Sequence, residues 1–110
     1  MAVLLLLLLL MLSACAGAPP TDASLRVMTW NIHHARGLDG TVDVARIAAE
    51  IRAASPDLVA LQEVDRGVRR TSGIDIPAAL AEQTGMQVAF GKNIDFQGGG
   101  YGNAVLTRMP

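Results

Sequence analysis

The chain is predicted to be a mixed α/β protein, on three observations: short apolar runs with strand character, two stretches with apolar residues at helical spacing, and their succession in the order β-α-β-α-β-β. The first strand is predicted over residues 25–32, where Leu25, Val27 and Thr29 alternate with Arg26, Met28 and Trp30. Trp30 reads as a core aromatic. A turn follows at residues 37–40, bounded by Gly37 and Gly40. From residue 43 to 54, Val44, Ile47, Ala48 and Ile51 recur at helical spacing while Arg46, Glu50 and Arg52 fall on the opposite face. Asp43 is suited to cap this helix and Ser55-Pro56 to end it, because proline disfavours helical geometry in the residue before it. Residues 58–61 are nearly all apolar, as in a strand buried on both faces, and lead directly into Gln62-Glu63. A second helix is predicted over 77–84, with Pro77 in its first turn and Gly85 as its stop. Two further strands are predicted at 87–90 and 103–107, joined through a flexible Gly98-Gly99-Gly100 loop. That loop lacks the Gly-Lys-[Ser/Thr] of a nucleotide-binding loop.

The first fifteen residues read as a targeting segment. Ala2 to Leu12 are all apolar and include seven consecutive leucines. The run is too short to span a bilayer as a helix, which takes about 20 apolar residues, and it ends in Ser13, Cys15, Gly17 and the Pro19-Pro20 break. Leu12-Ser13-Ala14-Cys15 resembles the bacterial lipobox, in which the cysteine is acylated and becomes the first mature residue. Cys15 is the only cysteine of the chain, which excludes an internal disulfide and leaves lipidation as its use. Cleavage after an Ala-x-Ala motif, at Ala14-Cys15-Ala16 or Ala16-Gly17-Ala18, is the alternative and would give a plainly secreted product. Residues 16–24 are small, polar or proline and suit a tether to a domain that begins at residue 25. The protein is thus expected to be exported, at the cell membrane or outer membrane as a lipoprotein, or else secreted.

Asn31 and Glu63 are expected to carry chemistry. Strands joined by a helical crossover run parallel, so the ends of the first two strands lie on one edge of the sheet, where open α/β folds build sites. A carboxylate with an amide oxygen is hard-oxygen ligation suited to Mg²⁺, Mn²⁺ or Ca²⁺, and cysteine or clustered histidines for a zinc site are not evident. Capping and loop roles remain the alternative for both residues. His33 and His34 read mainly as solvated loop histidines, with contact to a phosphate as the second reading. Asp65, Arg66, Arg69 and Arg70 read mainly as a solvated loop, with substrate contact or orientation of a ligand shell as the second.

Thr29-Trp30-Asn31-Ile32 and Leu61-Gln62-Glu63-Val64, bracketing an amphipathic helix, together with Tyr101-Gly102-Asn103-Ala104-Val105-Leu106-Thr107-Arg108, resemble the start of the endonuclease/exonuclease/phosphatase superfamily. The resemblance runs from residue 25 to the last residue. It implies a four-layer α/β sandwich of two facing sheets flanked by helices, of which residues 25–110 would be the N-terminal part. It also implies hydrolysis of a phosphoester by in-line attack of water, with Glu63 as principal ligand of a Mg²⁺ ion and Asn31 assisting at the metal or a phosphate oxygen. The family's catalytic histidine with its aspartate, its Asp-x-Asn pair and its late Asp-His do not occur in these residues, so they are expected to be inactive by themselves. Val27, Leu61, Val105 and Leu106 are expected to need the second sheet for their burial.

Ten acids and nine bases, all from Asp22 onward, give a formal charge of −1. No basic field for gripping a nucleic-acid backbone is visible, which favours a small or lipid-linked phosphoester while keeping nucleic acid as an alternative. A monomer is expected. The rival reading is a surface-tethered binding module that shares the fold without the chemistry.

Overall fold

The structure is a computed structural model and describes residues 23–110. The leucine run, the lipobox-like stretch with Cys15 and most of the tether lie outside the described residues. Strands β1 (Val27–Asn31), β2 (Leu58–Arg66), β3 (Gln87–Phe96) and β4 (Gly99–Thr107) form one mixed sheet in the order β1-β2-β4-β3. Helix α1 (Val44–Ala54) connects β1 to β2, which pair in parallel, and α2 (Ile76–Thr84) connects β2 to β3. Strand β4 runs antiparallel to both of its neighbours. The α/β class is as predicted.

Both helices start on a carboxylate that accepts a backbone N–H. Asp43 caps Arg46 and Asp75 caps Ala78, each at 3.0 Å, which satisfies donors that a first helical turn otherwise leaves unpaired. Each helix ends on a left-handed residue, Ser55 or Gly85. Ile47, Ala48 and Ile51 of α1 and Ile76 and Leu80 of α2 share one core with Val59, Leu61, Ala104 and Leu106. Both helices therefore cover the same face of the sheet, with Met28, Trp30, Val88 and Phe90 packed at its margin. Each fully buried aliphatic side chain there contributes about 1.5–3 kcal/mol by leaving water.

The opposite face is open. Val27 is 58% exposed and Val105 41%, whereas Leu61 and Leu106 are fully buried. The expectation that all four need a facing sheet thus holds for half of them, since alternate residues of a strand point to opposite faces. Of the four layers implied by the resemblance, the described residues form two, one sheet and the helices on one side of it.

Three strands are longer than predicted. Strand β2 runs on to Arg66, so Asp65 and Arg66 belong to a strand rather than a loop. The glycine triplet is also no loop: the connection is Gln97-Gly98, with φ of +46° and +87°, as a two-residue type I′ hairpin turn requires. Gly99 and Gly100 lie within β4.

Candidate metal centre

Parallel pairing of β1 with β2 ends at Asn31 opposite Gln62, and the Ile32 N–H extends it by donating to the Gln62 carbonyl at 3.1 Å. Glu63 is the next residue. It sits inside β2, not past its end, where the pairing with β4 shifts register: Leu61 opposes Ala104 and Val64 opposes Gly102, so Gln62 and Glu63 together face Asn103. Such a β-bulge re-aims a side chain, and Glu63 adopts φ of +56°, a left-handed conformation uncommon for a residue with a Cβ.

The chain leaves β1 through a 3-10 turn over His33–Ala35, in which three successive residues have positive φ, of +47°, +45° and +63°. Each such residue costs about 1–2 kcal/mol, so the turn persists only because its surroundings fix it. Buried Ile32 and Ala35 clamp its two ends. The Asn31 Oδ1 accepts the His33 N–H at 3.0 Å, and the Ala35 carbonyl accepts the Asp43 N–H at 2.9 Å.

This turn delivers both histidines to Glu63. One donor atom each from His33, His34 and Glu63 lies within 4.8 Å of the others, and the two imidazole rings stand 4.4 Å apart at 59°. His33 is exposed, Glu63 is half-buried and His34 is 6% exposed. The reading of both histidines as solvated loop residues is therefore corrected for His34. Burial pushes the His34 imidazole below its usual range, helped by the nearby Arg70 guanidinium and His33, so it is neutral at pH 7 and keeps a lone pair for a ligand. The Tyr101 hydroxyl is pushed up by burial and by the neighbouring Glu63 carboxylate.

Asp65 is fully buried and holds Arg70 in a two-pronged pair, with Nε at 2.8 Å and Nη2 at 2.9 Å, while the Thr71 hydroxyl donates to it at 3.3 Å. The Arg70 guanidinium lies 4.6 Å over the Phe96 ring and 5.3 Å from that of Tyr101. Asp65 is thus a buried, paired strand residue and Arg70 is held between it and two rings, so a solvated loop describes neither. Exposed Arg66 instead stacks 4.7 Å over Phe90.

A cleft of about 300 Å³ adjoins the cluster, lined by Asn31, His33, Arg36, Arg46 and Glu50 among others. Arg46 is engaged by Asp39 at 2.9 Å, whereas Arg36 has no ion pair among the described residues. Two imidazoles and a carboxylate are a chemically sound donor set for a divalent cation, and Asn31, already holding the histidine turn, stands beside them with a further lone pair. Sequence reasoning singled out Glu63 and Asn31 and did not anticipate that both histidines come beside Glu63. The available signal was the His-His pair directly after an asparagine at a strand end.

The profile described as Endonuclease/Exonuclease/phosphatase family matches residues 28–110. Among solved structures, an endonuclease/exonuclease/phosphatase from Beutenbergia cavernae DSM 12333 is similar, with 38% identity and a TM-score of 0.60 over 78% of this chain and 26% of that one. An endonuclease/exonuclease/phosphatase family protein from Leptotrichia buccalis C-1013-b shares the fold at 20% identity and a TM-score of 0.60, over 79% of this chain and 39% of that one. The chain thus spans well under half of the length of either structure. No curated protein gives a significant match. The placement of Asn31 at the end of β1 and of Glu63 at the bulge of β2, the sheet with its one-sided helices and the match over residues 28–110 lead to one conclusion: the chain belongs to the endonuclease/exonuclease/phosphatase family.

Proposed function

We propose that this chain contributes the first cation ligands and one wall of the cleft to an exported, metal-dependent phosphoesterase. The observation that carries the reading is the convergence of Glu63 with His33 and His34 at the end of the parallel strand pair, in a chain of a family of phosphoester hydrolases. Glu63 supplies the negative charge that holds a divalent cation, Mg²⁺, Mn²⁺ or Ca²⁺ by the hard-oxygen argument, and Asn31 supplies a neutral oxygen. A cation so held neutralises charge on the phosphoryl oxygens and stabilises the leaving group. Arg36, lining the cleft and without an acidic partner among the described residues, provides a further positive charge for the anionic ester. The Asp65–Arg70 pair fixes the guanidinium that lies over the Tyr101 ring. The substrate class is a phosphodiester or phosphomonoester, from a nucleic acid, a phospholipid headgroup or a small molecule.

Export and membrane attachment through Cys15 belong to the same proposal and rest on the apolar run and the lipobox-like Leu12-Ser13-Ala14-Cys15. No helix of the described residues is long and apolar enough to cross a membrane. The test is hydrolysis of a chromogenic phosphodiester and a phosphomonoester by the full-length protein, before and after chelation. Turnover abolished by chelator and restored by a divalent cation is expected. Binding of phosphoesters without turnover under any cation would replace the enzyme with the binding module.

A further inference from the structure

We infer that His33 and His34 are themselves cation ligands beside Glu63, so that the centre is a mixed nitrogen–oxygen site selecting a borderline first-row cation such as Co²⁺, Fe²⁺ or Zn²⁺ over Mg²⁺. The inference rests on the reading of Glu63 as a cation ligand and not on phosphoester hydrolysis. Its geometric basis is the separation of the donors. A cation that binds imidazole nitrogen at about 2.1 Å keeps its donors within ~4.2 Å of one another. The observed 4.8 Å needs only a small closing rotation, which the exposed His33 ring is free to make.

The second basis is conformational. Left-handed backbone at non-glycine residues clusters here, at His33, His34, Ala35 and Glu63, and all three donor residues are among them. Strain of this kind gathers where a constellation must be held in place. With ordinary right-handed or extended backbone, consecutive side chains would diverge, yet here two successive imidazoles stand 4.4 Å apart beside one carboxylate. Besides offering its oxygen to the cation, Asn31 positions the turn, because its Oδ1 accepts the His33 N–H at 3.0 Å and so fixes where the turn departs from β1.

The chemical basis is donor softness. Mg²⁺ prefers oxygen and sheds water reluctantly, whereas imidazole suits the later first-row cations. Two imidazoles with one carboxylate therefore reverse the hard-oxygen preference that Glu63 and Asn31 alone would give.

The experiment is Co²⁺ titration of the full-length protein, followed by visible absorption, whose d–d bands report ligand field and coordination geometry, with competition by Mg²⁺. Wild type is expected to develop a Co²⁺ band that a hundredfold excess of Mg²⁺ does not displace. His33→Ala, at an exposed position that tolerates truncation, is expected to weaken Co²⁺ binding at least tenfold, and His34→Ala more, with folding of both checked by circular dichroism. Asn31→Ala is expected to weaken Co²⁺ binding less than His33→Ala. Equal Co²⁺ affinity in wild type and His33→Ala, or displacement by equimolar Mg²⁺, overturns the inference even where Glu63-dependent phosphoester hydrolysis is intact. Histidine-dependent Co²⁺ binding without any hydrolysis leaves the inference standing and defeats the proposed function instead.

Discussion

Glu63 and Asp65, two residues apart on β2, carry the same charge to opposite ends. Asp65 is fully buried, and its charge is balanced by the half-exposed Arg70 and the Thr71 hydroxyl. Arg70→Ala would strand that carboxylate without its cation and is expected to cost about 3 kcal/mol or more, whereas Asp65→Asn, which lets Arg70 turn to water, should cost about 1–2 kcal/mol. Urea unfolding checks the order, and equal losses would contradict it. Glu63 is held in a left-handed conformation that glycine adopts freely. Glu63→Gly should therefore keep or raise the thermal midpoint while cation binding is lost, and a falling midpoint would show that Glu63 serves the fold. At this scale the sequence singled out Asn31 and Glu63, polar residues that interrupt apolar strand patterns, but did not show that β2 runs on past Glu63. It was not readable for Asp65, because its partner arrives five residues later through the 3-10 turn Arg69–Thr71. His34 was hidden for a similar reason, since its burial depends on positive φ at three successive residues.

The elements were legible where a local signal sets them. Asp43 and Ser55-Pro56 bound α1 as predicted, and Gly85 ends α2. Strand lengths were not, because pairing extends β2, β3 and β4 through stretches in which glycine, asparagine and charged residues of low strand propensity interrupt Val64, Ile94, Phe96 and Tyr101. The glycines of β4 are the clearest example. At two of them another backbone comes close: a Cβ at Gly102 would run into the Gly91 carbonyl oxygen, and one at Gly99 into the Arg66 and Gly67 backbone, whereas at Gly100 it would meet the Lys92 and Phe90 side chains. Gly98 has open space around its Cβ position and needs only its positive φ. Gly102→Ala is accordingly expected to cost up to about 3 kcal/mol by forcing the hairpin apart, and Gly98→Ala about 1 kcal/mol from backbone strain. Chemical denaturation of the two variants checks this, and a larger loss for Gly98→Ala would contradict the register of β3 against β4.

At the scale of the whole fold, the described residues dress the sheet on one side only. The α/β class and the parallel β1–β2 pair followed from the alternation of elements, but the sidedness did not, because Val27 and Leu61 look alike in a sequence while they point to opposite faces. Residues 23–110 expressed alone expose Val27 and Val105 on that open face, with β1 and β3 as unprotected edges. They are expected to self-associate in size-exclusion chromatography, and a concentration-independent monomer would show that the face needs no cover. At the other end of the chain, Cys15→Ala is expected to move the protein from the membrane fraction to the medium, and an unchanged distribution would remove the lipid anchor from the proposal. The central claim is that Glu63 holds the cation through which a phosphoester is cleaved. The most direct test is the divalent-dependent hydrolysis rate of full-length Glu63→Gln against wild type, with matched circular dichroism. A loss of about a hundredfold or more is expected, as for removal of a group that organises the transition-state charge. A variant with the rate and cation dependence of wild type would contradict it.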